Sequence, residues 1–389
     1  MASTPRITRI EVTQFQWDLA DNWPDAQYPY LTVYTPGKVL KSHGMALRIE
    51  TDAGITGEYV GGRPAEYSTF PMFAPYLIGQ PALERERIYG DVKRALRQVA
   101  RLGLGPLDVA LWDIAGKLHN APIWRLLGGY RTRLPTYAST YTADHNGGLD
   151  SPEAFADFAE QCLAMGYPGF KIHPWAVAHI PTEVATVHAL GKRVGGKMKL
   201  MLDAVCAYET LADAVTVGRA CDEENFFWYE DPMKDGGISA FAHRKLRQLV
   251  KTPILQTEHM RSLETHVDFA LADATDFLRA DPNFDGGITE VMKIAHAAEG
   301  LGLDVELHAA GPAQRHCVAA IRNSNFYEMT LVHPKGPRTQ PPVYKSDYRD
   351  GLDAIGKDGC VSVPDGPGLG VEYDWAFIRK NRTSGMEWK

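Results

Sequence analysis

Three acidic residues recur at the ends of short apolar runs: Asp203 in LMLDAV, Glu230 in FFWYEDP and Glu258 in PILQTEH. They stand 27 and 28 residues apart, about the length of one strand, one helix and two loops in a repeating β/α unit. A lone carboxylate at a strand end is ordinarily a helix cap or a solvated rim charge. Three in matched phase on parallel strands of one barrel would instead emerge together at the C-terminal rim, where such barrels carry their chemistry. Crowded there, they repel one another unless a hard cation shares their oxygens. A metal site is therefore expected, with Mg²⁺ as its ion.

A second set of residues occupies other strand ends. Lys171 and His173 in FKIHP are two apart and so share one face of a strand. Asp281 in LRADP and His308 in VELHA fall on successive strands, where a carboxylate beside an imidazole fixes its tautomer and raises its basicity. Glu328 lies in FYEMT. Lys171 and His173 would form one wall and Asp281 and His308 the opposite one, giving a bound carboxylate substrate a candidate base on each side of its α-carbon. Taken singly, a His at a strand end is more often a hydrogen-bonded structural residue, and a Lys beside carboxylates a counter-ion. The common register over seven strands favours a shared function. Cys206, close to Asp203, reads as a small buried hydrophobe, and Gly286-Gly287 as a tight βα turn rather than a phosphate cradle.

These residues need a frame. After Leu134 the pattern alternates strand and helix, with strand ends near 137–139, 170–173, 201–203, 228–230, 255–258, 278–281, 305–308 and 327–329. Eight strands fit a barrel. The helix SPEAFADFAEQCLAMG begins with Ser151 as N-cap and Pro152 at the first turn, and turns Phe155, Phe158, Cys162 and Leu163 to one side. Upstream, Ile7 to Phe15 and the segment MALRIETDAGITGEYVGG predict an antiparallel sheet, and Pro64 to His119 predicts helices. Between the first two strands, Asp18 to His43 reads as a long irregular loop and a lid candidate. The expected division is an α+β capping domain with substrate-specificity loops over 1–133, a barrel over 134–332, and a C-terminal segment over 333–389 that packs back on both.

Composition bounds the alternatives. Of 389 residues, 44% are hydrophobic and 23% charged, as in a soluble globular protein with a large core. A net charge of −7 offers no basic footprint for nucleic acid or an anionic membrane. No apolar run approaches the length of a membrane span, and the N-terminus has no continuous apolar segment of the secretory kind. The five cysteines are dispersed, without a CxxC pair, and are read as reduced thiols of a cytoplasmic protein.

The chain resembles the enolase superfamily, in its mandelate racemase branch, over nearly its whole length. GPLDVALWDIAGKLHNAPIWRLLGG is similar to that family's join between cap and barrel. Asp203, Glu230 and Glu258 fall on its Mg²⁺ ligands, Lys171 and His173 on its Lys-x-Lys base motif, Asp281 and His308 on its Asp–His dyad, and Glu328 on the eighth-strand Glu that helps bind the substrate carboxylate. The resemblance implies a (β/α)₇β TIM-like barrel with an α+β cap, Mg²⁺ as cofactor, a homo-oligomeric assembly, and proton abstraction α to a carboxylate. Metal and Glu328 would stabilise the enediolate, and His308 would protonate a departing β-hydroxyl. The expected reaction is dehydration of an acid sugar to a 2-keto-3-deoxy acid. Racemisation, epimerisation or cycloisomerisation of a hydroxylated acid is the alternative outcome of the same parts, and a catalytically silent metal-binding barrel is the non-enzymatic one. Two departures stand out: an imidazole, His173, replaces the second Lys of the base motif, and Val205 takes a position that is polar in many relatives.

Overall fold

The computed structural model describes residues 4–389. The chain begins with three antiparallel strands, β1 (Ile7–Pro24), β2 (Thr32–Thr51) and β3 (Thr56–Val60). Ile10, Val12, Met45, Leu47 and Ile49 alternate along β1 and β2, and all are buried on one face. The other face carries Arg9, Glu11, Arg48, Glu50 and Glu58, which pair across the strands. This is the pattern of a sheet with one face on a core and one toward water.

The stretch from Asp18 to His43, expected as an irregular loop, is instead the far half of the β1/β2 ribbon. Leu19 pairs with Leu40 and Trp23 with Val33. A register shift between Ala20 and Asn22 accommodates left-handed Asp21, whose carboxylate accepts a hydrogen bond from the Gly37 amide at 2.7 Å. Beyond the sheet most of the ribbon's side chains are half-buried or exposed, and the buried ones on its two strands, Leu19, Asn22, Val33 and Tyr34, follow no apolar alternation. Its tip is turned by the Asp25 carboxylate, which accepts from the amides of Gln27 and Tyr28. The ribbon lies against the barrel mouth: Asn146 Nδ2 donates to the Tyr34 carbonyl at 2.7 Å, and the Tyr34 ring stacks on His333 at 4.5 Å.

The barrel comprises β4 (Arg133–Thr142), β5 (Gly169–His173), β6 (Lys199–Asp203), β7 (Trp228–Glu230), β8 (Ile254–Gln256), β9 (Phe277–Ala280), β10 (Asp304–Leu307) and β11 (Tyr327–Val332). Neighbours pair in parallel from β10 round to β4, and β4 pairs with β11. The seam between β10 and β11 is closed by side chains: Glu306 accepts from the Asn325 amide at 2.9 Å, and Glu328 from the Ala309 amide at 2.7 Å. Helices connect the strands on the outside. The first has the expected cap, with Ser151 Oγ accepting from the Ala154 amide and Phe155, Phe158 and Cys162 buried.

Low in the barrel, Tyr137, Met201, Trp228 and Leu255 form an apolar plug with Phe227, Phe277 and Phe326. After β11 the chain adds β12 (Cys360–Ser362), antiparallel to β4, and ends in β13 (Arg382–Trp388), which pairs with β1 in the first sheet. The helix Leu104–Leu118 locks these regions together. Its Asp108 carboxylate accepts from the Thr289 amide and hydroxyl, and its Asp113 from the amides of Glu58 and Leu369. Glycine is required at that joint, because a Cβ on Gly105 would stand 2.2 Å from the Asn283 carbonyl and one on Gly287 2.3 Å from Asp108 Oδ2. Gly286-Gly287 thus makes a close helix approach, with positive φ at both residues. Among the described residues no helix is long and apolar enough to cross a membrane, and the five cysteines are free thiols.

Candidate active site

Immediately above the apolar plug, parallel strands deliver charged side chains to one place. Lys171, fully buried on β5, points its Nζ at Glu230 Oε2 (2.9 Å), Glu328 Oε1 (3.0 Å) and Asp203 Oδ2 (3.2 Å). Two residues further along the same face, His173 places Nε2 3.0 Å from Asp203 Oδ2. Its Nδ1 lies 2.6 Å from the Thr140 carbonyl, which only accepts, so Nδ1 keeps its proton and Nε2 is the nitrogen that exchanges one. On the opposite side His308 Nδ1 meets Asp281 Oδ2 at 2.6 Å, and its Nε2 lies 3.4 Å from Glu258 Oε1. Asp281 is itself held by the backbone amide and side chain of Asn283. The eight residues singled out in the sequence thus form two sets of contacts, which Arg279 bridges between Glu230 (2.9 Å) and Glu258 (3.8 Å).

Asp203, Glu230 and Glu258 each offer an oxygen, and these oxygens lie within 4.8 Å of one another. Burial pushes the Glu230 carboxyl up, with Asp203 and Glu258 adding repulsion that Arg279 and Lys171 only partly offset. Burial also opposes the charge of Asp203, but Lys171 and His173 hold its carboxyl well below the usual range. Four carboxylates, Glu328 included, face two permanent cations, Lys171 and Arg279, which leaves room in the charge balance for a dication. The three donors are all hard oxygens, and Glu230 Oε1 has no aligned hydrogen-bond donor although it is fully buried. The triad fits a hard divalent ion.

Burial disfavours a charged His308, yet Glu258 and the Asp281 hydrogen bond outweigh it and raise the imidazole to about 9. Glu328 is held ionised: burial is overcome by Arg279 and Lys171. Both its oxygens are engaged, one by Lys171 and the other by Arg279 Nη2 at 2.6 Å and the Ala309 amide.

Arg279 was not anticipated. Fully buried on β9, it reaches Glu328, donates to the Tyr137 hydroxyl at 3.1 Å, and brings Nε within 2.9 Å of Glu230 Oε1, though without hydrogen-bond alignment. Its signal was available: Arg279 precedes Asp281 by two residues, the same inward spacing that pairs Lys171 with His173. Thr257 pins this strand to its neighbour, its hydroxyl donating to the Arg279 carbonyl and accepting from the Arg279 amide. Val205, Cys206, Asp231, Thr257 and Ala309, close to site residues in sequence, all have positive φ. Backbone strain of this kind concentrates at functional sites.

A cavity of about 250 Å³ opens between the first sheet and the ends of β10 and β11, lined in part by Trp17, His43, Tyr59, Asn283, Gln340 and Tyr344. It borders the His308 side of the mouth, through Asn283 and Ala309, and the carboxylate triad does not line it.

Fold and site together define a capped β/α barrel of the enzyme kind. The family model described as "Enolase C-terminal domain-like" matches residues 154–377, and that described as "Mandelate racemase / muconate lactonizing enzyme, N-terminal domain" matches residues 22–128. The chain belongs to the enolase superfamily, in its mandelate racemase group. It is 29% identical over 342 residues to D-galactarolactone cycloisomerase of Agrobacterium fabrum, covering 84% of this chain and 88% of that protein. It is likewise 29% identical over 354 residues to arabinonate dehydratase of Saccharolobus solfataricus, covering 86% and 90%. A crystal structure of D-glucarate dehydratase from Agrobacterium tumefaciens complexed with magnesium superimposes with a TM-score of 0.87 at 30% identity, covering 98% of this chain and 100% of that one.

Proposed function

We propose that the protein removes the proton α to the carboxylate of an acid sugar in an Mg²⁺-dependent reaction and dehydrates it to a 2-keto-3-deoxy acid. The observation that carries this reading is the pair of imidazoles on opposite sides of one carboxylate triad, His173 against Asp203 and His308 against Glu258. Mg²⁺ held by Asp203, Glu230 and Glu258 would supply positive charge that draws electrons toward the substrate carboxylate and acidifies the neighbouring C–H. Lys171, fixed by Glu328 behind it, keeps a second positive charge beside that carboxylate.

His173 Nε2 takes the α-proton, because its Nδ1 stays protonated toward the Thr140 carbonyl. His308, backed by Asp281, gives a proton to the departing β-hydroxyl. The cavity beside His308 carries Tyr, His, Gln and Asn side chains, suited to the hydroxyls of a sugar chain, and the Asp18–His43 ribbon, which contributes His43 to its lining, would act as a lid. Relatives named as an arabinonate dehydratase and a D-glucarate dehydratase support the substrate class.

The same geometry favours one second reading: an acid on the far face could reprotonate C2 and give an epimer. Incubation with a library of acid sugars in D₂O separates the two. A 2-keto product supports dehydration, deuterium at C2 without loss of substrate supports epimerisation, and neither from any member of the library would sink both.

A further inference from the structure

Beside the oxygen triad, the same three loops carry a second, differently composed set of donors. Cys206 follows Asp203 by three residues, Asp231 follows Glu230 directly, and His259 follows Glu258 directly. A sulfur, a carboxylate oxygen and a ring nitrogen from these residues lie within 4.8 Å of one another. His259 Nε2 stands 3.1 Å from Asp231 Oδ2, and the Cys206 amide donates to the Asp231 carbonyl at 2.7 Å, so the loops are tied together at this point. Left-handed Val205 and Cys206 turn the first loop back, and Asp231 is left-handed as well.

The donor types are sorted. The triad is all oxygen, the preference of Mg²⁺, whereas thiolate, imidazole and carboxylate together suit a borderline-soft ion. Three protein ligands with an open fourth position is the arrangement of zinc sites that keep a place for water or substrate. A second observation points to a missing partner. Asp231 is 1% exposed, and its Oδ1 has no hydrogen-bond donor. Gln256 Oε1, also buried and without a donor, borders the Oδ1 side of that carboxylate, whose Oδ2 faces His259: a Cβ on Gly237 would stand 2.8 Å from Asp231 Oδ1 and 2.9 Å from Gln256 Oε1. Among the described residues the one charged partner of this buried carboxylate is a half-exposed imidazole on Oδ2, which leaves Oδ1 uncompensated. A cation bound there would correct that, and the exposure of His259 leaves it a route in from solvent.

The geometry points to a second metal site, formed by Cys206, Asp231 and His259, that takes one zinc-class divalent cation alongside the Mg²⁺ triad and independently of it. On binding, the sulfur–metal bond forms as the thiol proton passes to solvent, with no change of oxidation state.

The test is a Co²⁺ titration of the Mg²⁺-saturated enzyme. One equivalent of Co²⁺ is expected to bind with a thiolate-to-cobalt charge-transfer band in the near ultraviolet, while Mg²⁺ stays bound. Cys206→Ser should abolish the band, and His259→Asn should weaken Co²⁺ binding by more than about tenfold. Both variants should bind Mg²⁺ as the parent does. The proposal is overturned if the parent shows no such band, if Co²⁺ enters only as Mg²⁺ leaves, or if the band survives in folded Cys206→Ser.

Discussion

The two walls of the site hold their imidazoles in different ways. His173 rests its Nδ1 on a backbone carbonyl, at 2.6 Å from Thr140, whereas His308 rests its Nδ1 on a carboxylate, at 2.6 Å from Asp281. A carbonyl fixes the tautomer with a neutral dipole, while a carboxylate fixes it and also stabilises the protonated ring. One wall therefore holds its ring by a neutral dipole and turns Nε2 toward the triad oxygen of Asp203 at 3.0 Å, and the other favours keeping a proton. An enzyme that takes a proton on one face and returns one to a leaving group on the other needs this asymmetry. A symmetric pair would suit reversible transfer at a single carbon.

The largest effects should come from removing one imidazole at a time. His173→Asn and His308→Asn are each expected to lower the proposed dehydration by about a thousandfold or more. They should differ in solvent exchange at C2: His308→Asn keeps deuterium uptake into the substrate, and His173→Asn loses it. The reverse pattern would exchange the roles of the two walls. Next in size is Arg279→Met, which leaves Glu230 and Glu328 without the buried guanidinium that both approach. Breaking a buried pair on one side costs about 3–5 kcal/mol, which urea denaturation of the Mg²⁺-free protein would read. A loss below about 1 kcal/mol would mean that Lys171 alone balances the layer. Asp281→Asn should cost about a hundredfold in kcat. It should also draw the alkaline limb of the pH profile to lower pH, because His308 loses part of what raises its affinity for a proton. An unmoved limb would assign that limb to another group.

Much of the barrel was legible because a parallel strand buried on both faces is short, apolar and followed at a regular interval by the next. That regularity also placed Asp203, Glu230 and Glu258 in one phase. Identity and spacing could not show how Glu328 is held: both its oxygens are taken by Lys171, Arg279 and the Ala309 amide, so in the proposed reaction it would act through those partners. The spacing of Arg279 to Asp281 marks it as inward-facing, but its role is not legible until Glu230 and Glu328 are seen to converge on it. The ribbon from Asp18 to His43 was misread for the opposite reason. Its pairing depends on backbone hydrogen bonds and on a kink at Asp21 held by the Gly37 amide, and neither leaves an apolar period. The cap–barrel joint could be located by its segment but not explained by it, since the need for Gly105 and Gly287 arises only from atoms distant in sequence.

A third imidazole sharpens the contrast between the walls and carries the smallest expected effect. His316, fully buried on the helix Pro312–Ala320, accepts from the Trp124 amide at Nδ1 (3.2 Å) and donates from Nε2 to the Leu369 carbonyl (3.0 Å). Protonating Nδ1 would set two N–H groups against each other. Burial is the main cause that lowers this imidazole to about 4, with Arg315 adding to it and the Leu369 bond opposing. The folded state thus binds its proton more weakly than the unfolded chain, whose imidazole titrates near about 6.5. The stability that neutral His316 confers is complete above that value and is lost as pH falls from about 6.5 toward 4. Between about pH 7 and about pH 5 the loss should be on the order of 2 kcal/mol. His316→Gln can keep both hydrogen bonds without titrating, so denaturation series at the two pH values should show that part of the acid destabilisation gone. If the variant and the parent lose stability equally, the environment of His316 does not hold its ring neutral, and hydrogen-bond partners alone would be a poor guide to which wall keeps the proton.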